Sequence, residues 1–92
     1  MTRFTMPRAD VYALIDGERA YQQERWNELT TLSSGDHSFE EWFMYIDDYV
    51  AEAKHALCRM PNPECDVVAA NIMRKVAALA VAAMENNGSF PR

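Results

Sequence analysis

Clusters of positive charge are missing from this 92-residue chain. It carries 9 basic against 14 acidic residues, a formal net charge of −5, and nowhere gathers more than two basic residues in a row. Non-specific binding of DNA or RNA depends on neutralising phosphates with Lys and Arg, so the charge pattern argues against a nucleic-acid partner. The acidic runs are no longer than pairs, which argues against an acidic tail as well.

Long apolar runs are also missing. The longest covers residues 76–84 and is mostly alanine, whereas a membrane-spanning helix needs roughly 20 apolar residues. Residues 1–8 include basic side chains, but no apolar stretch follows them, so the pattern is not that of a secretory signal. We therefore expect a cytoplasmic protein that does not contact a membrane.

Cysteine and glycine are scarce. Cys58 and Cys65 bracket a proline-containing turn, where a disulfide is conceivable, but the expected reducing cytoplasm favours free thiols. The three glycines form no Gly-rich phosphate loop, and no serine stands in a nucleophile elbow. The common sequence signatures of phosphate-loop and serine-hydrolase chemistry are thus absent from the sequence.

Helical signals fill most of the chain, and turn residues divide them. Apolar spacing and capping residues predict three helices with a short tail at each end. The helices cover about residues 10–32, 39–58 and 67–86, and the tails cover residues 1–8 and 89–92. Ser38 and Glu41 form a capping box that starts the second helix, and Asp66 is the expected N-cap of the third. The sequence predicts one all-α domain, residues 1–92, folded as a three-helix antiparallel bundle.

The second and third helices distribute their apolar residues differently. Those of the second helix share one stripe, which we interpret as a core face: Phe39, Trp42, Phe43, Ile46, Tyr49, Val50, Ala53 and Leu57. The third helix is apolar nearly all round, because small residues occupy the side opposite its main stripe: Ala70, Ala77, Ala78, Val81 and Ala82. A chain of this length builds only a small core. We therefore expect homo-oligomerisation to cover the third helix and complete the bundle.

Polar residues interrupt the apolar stripe of the first helix. Glu18, Gln22 and Arg25 follow one another at helical spacing beside Trp26. One interpretation is a set of contacts within the helix, whose aliphatic stems cover the core. The other is a polar groove that binds a small anionic ligand, with basic residues of the first and third helices meeting a phosphate. The candidate ligand-binding residues are Glu18, Arg19, Gln22, Arg25, Trp26 and Lys75.

The order of these residues resembles small phage and prophage proteins related to the MazG-like all-α nucleoside triphosphate pyrophosphohydrolases. The resemblance covers residues 11–88 and rests on Glu18-Arg19, Gln22, Trp26, His37, Trp42, Glu52-Ala53 and the Ala-rich segment 76–85. It implies a helical homodimer or larger homo-oligomer in the host cytoplasm. Catalytic members of the superfamily hold Mg²⁺ against nucleotide phosphates with a Glu-Glu-x-x-Glu motif on one helix and a Glu-x-x-Asp motif on the next.

The matching acidic positions are incomplete in this chain. Asp47, Asp48 and Glu52 are the metal ligands that the resemblance implies for the first motif, where one of the three acidic positions holds a non-acidic residue in either alignment. In the second motif Ile72 and Lys75 stand in place of Glu and Asp. Because an ammonium group repels a cation, we expect no catalytic residue and no cofactor, with Mg²⁺ bound only if the protein is a hydrolase.

Three functions are open from the sequence. The leading hypothesis is an accessory protein that binds a small ligand, such as a nucleotide, or a host protein without turnover. The second is a weak Mg²⁺-dependent nucleoside triphosphate pyrophosphohydrolase. The third is a purely structural or regulatory protein-interaction module. The incomplete motifs favour a protein that is not an enzyme.

Overall fold

Three helices make up most of the chain in the computed structural model, which describes residues 5–28 and 37–92. The helices are α1 (Arg8–Glu28), α2 (Phe39–Arg59) and α3 (Glu64–Asn87), and these described residues include no strand. The predicted all-α class is confirmed. α1 begins at residue 8, slightly before the predicted start, while its predicted end at residue 32 lies outside the described residues.

α3 lies between the other two helices and packs against both. Trp42, near the start of α2, packs in one cluster with Ala83, near the end of α3. Farther along α2, Tyr49 contacts Lys75, which comes earlier in α3. These contacts advance along α2 while they move back along α3, so the two helices run antiparallel.

The core is small and centres on Trp42, which is 1% exposed. The residues packed around it are Leu79, Ala82 and Ala83, with Trp26, Ile46 and Tyr49 partly buried against them. Ala78 and Ala82 are fully buried, so the other helices cover part of the alanine surface of α3. Small side chains allow close approach of the helices, and the indole ring fills the space between them.

The capping box predicted at the start of α2 is present. The Ser38 hydroxyl accepts a hydrogen bond from the Glu41 backbone N–H at 3.3 Å, and the Glu41 carboxylate accepts one from the Ser38 N–H at 3.0 Å. Two backbone donors that a helix start leaves unpaired are thereby satisfied. The local sequence signal thus fixes the start of α2 at Phe39.

α3 begins at Glu64 and not at the predicted residue 67. Asp66 is not its N-cap, since Pro63 takes that position. The Pro63 carbonyl accepts hydrogen bonds from the N–H groups of Asp66 and Val67 at 3.1 and 3.2 Å. Proline lacks the N–H that a first turn leaves unpaired, so it fits the start of a helix. Asp66 lies within the first turn, where a carboxylate suits the helix dipole.

Cys58 and Cys65 are free thiols in this structure, with Cys58 exposed and Cys65 buried. The Cys65 thiol donates a hydrogen bond to the Asn62 side-chain oxygen at 2.8 Å. This contact links the first turn of α3 to the connection that precedes it. The buried thiol therefore has a local structural role.

α3 is long and apolar enough to cross a membrane, judged by length and composition, since an 18-residue stretch of it has a mean hydropathy of 1.6. Core helices pass the same test, and α3 packs against both α1 and α2. The expected absence of membrane contact stays a prediction.

Alanine substitutions at Gly17 and Gly88 should have opposite effects. A Cβ at Gly17 meets no atom within 4 Å, so Gly17→Ala should raise the free energy of unfolding by about 0.5–1 kcal/mol, because glycine weakens a helix interior. Gly88 has a φ of +80°, so Gly88→Ala should lower it by about 1 kcal/mol. Urea unfolding followed by circular dichroism measures both changes. A destabilising Gly17→Ala would contradict the open surroundings of this residue.

Candidate functional site

Polar residues predicted on α1 meet α3 where the two helices cross. The Glu18 carboxylate accepts a hydrogen bond from Arg74 Nε at 2.8 Å, and the Glu18 side chain is only 10% exposed. Gln22 Nε2 donates to the backbone carbonyl of Lys75 at 3.2 Å. These two polar side chains thus join α1 to α3. Their bonds differ from the first interpretation, in which Glu18 and Gln22 made contacts within α1.

Arg19 makes several contacts at the same place. Its Nε donates to the Glu85 carboxylate at 2.6 Å and its Nη2 to Gln23 Oε1 at 2.8 Å. The guanidinium carbon lies 5.2 Å from the centre of the Trp26 ring, a cation–π distance. Adjacent Glu18 and Arg19 therefore reach positions 74 and 85 of α3, so α1 crosses α3 obliquely. We call this group the polar crossing: Glu18, Arg19, Gln22, Arg74 and Glu85.

Two buried atoms of the polar crossing have no hydrogen-bond partner within the part of the chain that the structure describes. They are Arg19 Nη1, which is a donor, and Gln22 Oε1, which is an acceptor. A buried polar atom that lacks a partner costs about 1–3 kcal/mol. An unpartnered buried polar atom calls for an explanation, and a bound water, ion or polar ligand is one.

The remaining predicted ligand-binding residues lie around the polar crossing. Trp26 is half-buried, with its ring centre 5.7 Å from that of Trp42. Lys75 contributes its backbone carbonyl to the polar crossing, but its ammonium lies 5.9 Å from the Tyr49 ring, toward α2. Arg25 is exposed. The structure therefore gathers Glu18, Arg19, Gln22 and Trp26, and directs the Lys75 side chain elsewhere.

Asp47, Asp48 and Glu52, the metal ligands implied by the resemblance, are exposed on α2. Within residues 5–28 and 37–92, no group of three or more His, Cys, Asp or Glu side chains is arranged to hold a metal ion. Mg²⁺ needs oxygen ligands in near-octahedral geometry. The described residues do not supply such a set, so they do not fit the Mg²⁺ site of the catalytic superfamily.

An aromatic group surrounds the start of α2. The His37 ring packs edge-on against the rings of Trp42 and Tyr45, with both centre distances at 5.2 Å. His37 Nδ1 also lies 3.5 Å from a Glu41 carboxylate oxygen. The Asn87 side chain donates to the His37 carbonyl at 3.1 Å. His37, two residues before α2, is thus linked to the end of α3.

The open side of α3 forms one apolar surface with α2. We call this surface the α2–α3 face. Its exposed and half-buried residues are Phe39, Phe43, Ile46, Ala80 and Met84, which line a groove, together with Val50, Met73 and Ala77, which share the same sides of α2 and α3 by helical spacing. Phe43 is 68% exposed and Met73 is 69% exposed. A groove of about 210 Å³ runs between the helices, lined by apolar and aromatic side chains, with Trp42 and Ala83 among them.

The predicted core stripe of α2 is only partly correct. Trp42, Ile46 and Tyr49 pack inward, whereas Phe43, Val50 and other members of the stripe are exposed. The stripe is too broad for one neighbouring helix to cover, because α3 contacts only one edge of it. The width of this stripe and the apolar character of the third helix are thus the sequence features that indicate the exposed α2–α3 face.

The relationship to MazG-like proteins rests on the sequence pattern alone. No family model, curated protein or solved structure matches the chain. The relationship therefore stays a proposal, and function is inferred from the polar crossing and the α2–α3 face.

The Glu18–Arg74 bond should give a measurable coupling free energy. Glu18→Gln and Arg74→Met should each lower the free energy of unfolding by about 1–2 kcal/mol, because each leaves a poorly solvated partner at the polar crossing. The double variant should lose about 1 kcal/mol less stability than the sum of the two single losses, and this difference is the coupling free energy. Urea unfolding of the wild type, both single variants and the double variant measures this coupling. Arg59→Met, on an exposed arginine of α2, is the matched control and should change stability by about 0.5 kcal/mol or less.

Acidification should remove the contribution of Glu41 to stability. Hydrogen bonds from Ser38, above all from its backbone N–H, together with nearby His37, hold the pKa of Glu41 below its ordinary value of 4.5. Because the pKa is depressed in the folded state, the stabilisation is complete above the unfolded-state pKa and is lost as the pH falls through the folded-state value. The stability difference between wild type and Glu41→Gln should therefore shrink as the pH is lowered from 7 to about 3.5. A difference in melting temperature that stays constant over this range would contradict the assignment.

Proposed function

We propose that this protein is a self-associating protein-interaction module that acts by binding and not by turnover. The observation that carries the proposal is the α2–α3 face, which exposes large apolar side chains around an apolar groove. Contiguous apolar surface of this kind marks sites at which another protein binds. The absence of a converging set of metal ligands among the described residues supports binding over metal-dependent hydrolysis.

A second copy of the chain is the partner that suits the α2–α3 face. α2 has 21 residues and is therefore about 30 Å long, and two neighbouring helices, each about 10 Å across, give a face about 20 Å wide. The resulting area of about 600 Å² approaches the roughly 800 Å² per partner of a standard stable interface. Phe43 and Met73 are exposed on this face, and a two-fold arrangement would place the same apolar surface of both copies against each other.

Burial of this face would remove large apolar side chains from water, which the small core does only to a limited extent. Four of the eight buried apolar residues among those described are alanines, which remove little apolar area from water. Burying a Phe or Met side chain contributes about 1.5–3 kcal/mol. Association through the α2–α3 face would therefore stabilise each chain as well as join the copies.

The resemblance to phage and prophage MazG-like proteins supports this proposal, since that superfamily consists of helical oligomers. The phage or prophage type and the location in the host cytoplasm are part of the proposal. We infer that the chain retains the helical fold of that superfamily but not its Mg²⁺-dependent hydrolysis, because Ile72 and Lys75 occupy the positions of the second acidic motif.

Binding of a small anionic ligand, such as a nucleotide, is the second candidate function. The buried, unpartnered atoms Arg19 Nη1 and Gln22 Oε1 favour it. Arg19 supplies positive charge for a phosphate, and the neighbouring Trp26 ring supplies a surface against which a base stacks. Such a ligand has to compete with Glu85 for the guanidinium of Arg19.

Phe43→Glu should convert the associated protein to a monomer. Light scattering of the wild type at tens of micromolar should give about 21 kDa or a higher multiple of the 10.5 kDa chain. The substitution places a charge in the α2–α3 face, which removes the apolar gain of association. Because Phe43 is mostly exposed, the helical circular dichroism of the single chain should be retained.

Tyr21→Glu is the matched control for this prediction. Tyr21 is 59% exposed on α1, away from the α2–α3 face. The variant should keep the mass of the wild type. A wild-type mass of 10.5 kDa would contradict self-association, and an associated Phe43→Glu protein would contradict the assignment of the face.

ATP titration tests the second candidate function. Nucleotide binding at the polar crossing predicts a change in tryptophan emission and a higher melting temperature at millimolar ATP, because Trp26 lies beside Arg19. Arg19→Gln should abolish both responses, whereas Arg59→Gln on α2 should preserve them. Wild-type protein that shows neither response would eliminate nucleotide binding.

A further inference from the structure

The residues that follow α3 present an aromatic side chain to water. Phe90 is 95% exposed, more than any other large apolar side chain in the part of the chain that the structure describes. It stands three residues after Asn87, the last residue of α3. Burial of a phenyl ring is favourable, so an apolar site within reach of this segment competes with water for the ring. We call residues 88–92 the tail.

The groove of the α2–α3 face lies at the end of the bundle where the tail begins. Ala83 and Met84, near the end of α3, line the groove together with Phe39, the first residue of α2. The Asn87 side chain donates to the His37 carbonyl at 3.1 Å. This bond holds the last residue of α3 beside the chain that leads into Phe39, so the tail starts next to the groove.

The tail is long enough to reach the groove, and the groove is large enough for a phenyl ring. Met84 precedes Gly88 by one turn of helix, about 6 Å along the axis. Ser89 and Phe90 together span about 7 Å when extended, so a tail that turns back at Gly88 returns to the level of Met84. The groove has a volume of about 210 Å³, whereas an apolar cavity of about 150 Å³ already binds benzene.

Gly88 permits the turn that this path requires. Its φ of 80° and ψ of 175° belong to a region that is essentially restricted to glycine. The left-handed helical conformation, with φ about 57° and ψ about 47°, differs from it mainly in ψ, and glycine adopts both. Helices commonly end in that conformation, with an apolar residue just beyond it packed against the last turn. Rotation about one backbone bond therefore redirects the tail toward Met84.

We propose that the tail is a strap, which turns back at Gly88 and inserts Phe90 into the groove of its own chain, beside Phe39, Phe43 and Met84. The structure, in which Phe90 is exposed, is the open state. In the closed state the ring covers the grooved part of the α2–α3 face, so a second copy has to displace it. This competition rests on the proposed function, whereas the insertion of Phe90 does not.

Methionine oxidation in dilute protein tests the insertion. Met84 lines the groove, whereas Met73 lies eleven residues earlier on α3, about 16 Å away and beyond the reach of the tail. Phe90→Ser should raise the oxidation rate of Met84 about threefold and leave that of Met73 unchanged. Phe90→Leu keeps an apolar side chain and should stay near the wild-type rates. Tyr12→Ser, which removes an exposed aromatic residue from α1, is the matched control and should also leave the Met84 rate unchanged.

Three results of the oxidation experiment would overturn the strap. One is an unchanged Met84 rate in Phe90→Ser. Another is a rise that Met73 shares equally, because it reports a general loosening of α3. The last is a protection of Met84 that disappears on further dilution, since the Phe90 that covers the groove then belongs to a second copy.

Sedimentation velocity tests the competition separately. Threefold protection means a groove that is open about one third of the time, and both copies have to be open to associate, so Phe90→Ser should lower the dissociation constant about tenfold. An associated wild type whose dissociation constant does not change with Phe90→Ser overturns the competition. A wild type that stays a single 10.5 kDa chain overturns self-association and the competition with it, while the Met84 rates still decide the insertion.

Discussion

The packing of α3 against both other helices is the contact on which this structure depends. Six of the eight buried apolar residues among those described belong to α3. A helix that is apolar nearly all round needs neighbours on several sides, because exposed apolar area is costly in water. α1 and α2 cover two sides, and the third side remains as the α2–α3 face. The exposed apolar surface of the chain is thus a consequence of an apolar helix that its two neighbours cover only in part.

The hydrogen bonds of the polar crossing place a second constraint on the packing of α1 against α3. Glu18, Arg19 and Gln22 lie on the side of α1 that meets α3, and each bonds to a group on α3. Polar groups at a helix contact are unfavourable unless paired, so these bonds restrict the angle at which α1 crosses. The two unpartnered atoms are the part of this group that the helix contact does not satisfy. The bonds to α3 and the proposed binding of a ligand therefore require the same side chains.

Local signals in the sequence are sufficient for some elements and insufficient for others. The capping box of Ser38 and Glu41 predicts the start of α2 because both partners lie within one turn. The start of α3 is different, since Asp66 has the right residue type for a cap but the chain enters the helix earlier, at Pro63. The pairing of Glu18 with Arg74 joins residues far apart in the sequence, and periodicity on one helix carries no information about the second partner. For the same reason the stripe of α2 indicates which residues are apolar, but not which of them a neighbouring helix covers.

Methionine oxidation reports whether the α2–α3 face is covered in solution, as the proposed self-association requires. In the single chain Met73 and Met44 are equally accessible, at 69% and 71% exposed. Met73 lies in the α2–α3 face, whereas Met44 is turned about 200° around α2 from Trp42, which faces α3. Oxidation rates follow accessibility and can be read for each methionine by mass spectrometry. If a second copy covers the α2–α3 face, Met73 should oxidise several-fold more slowly than Met44 in the wild type and equally fast in Phe43→Glu. Equal rates in the wild type would contradict it.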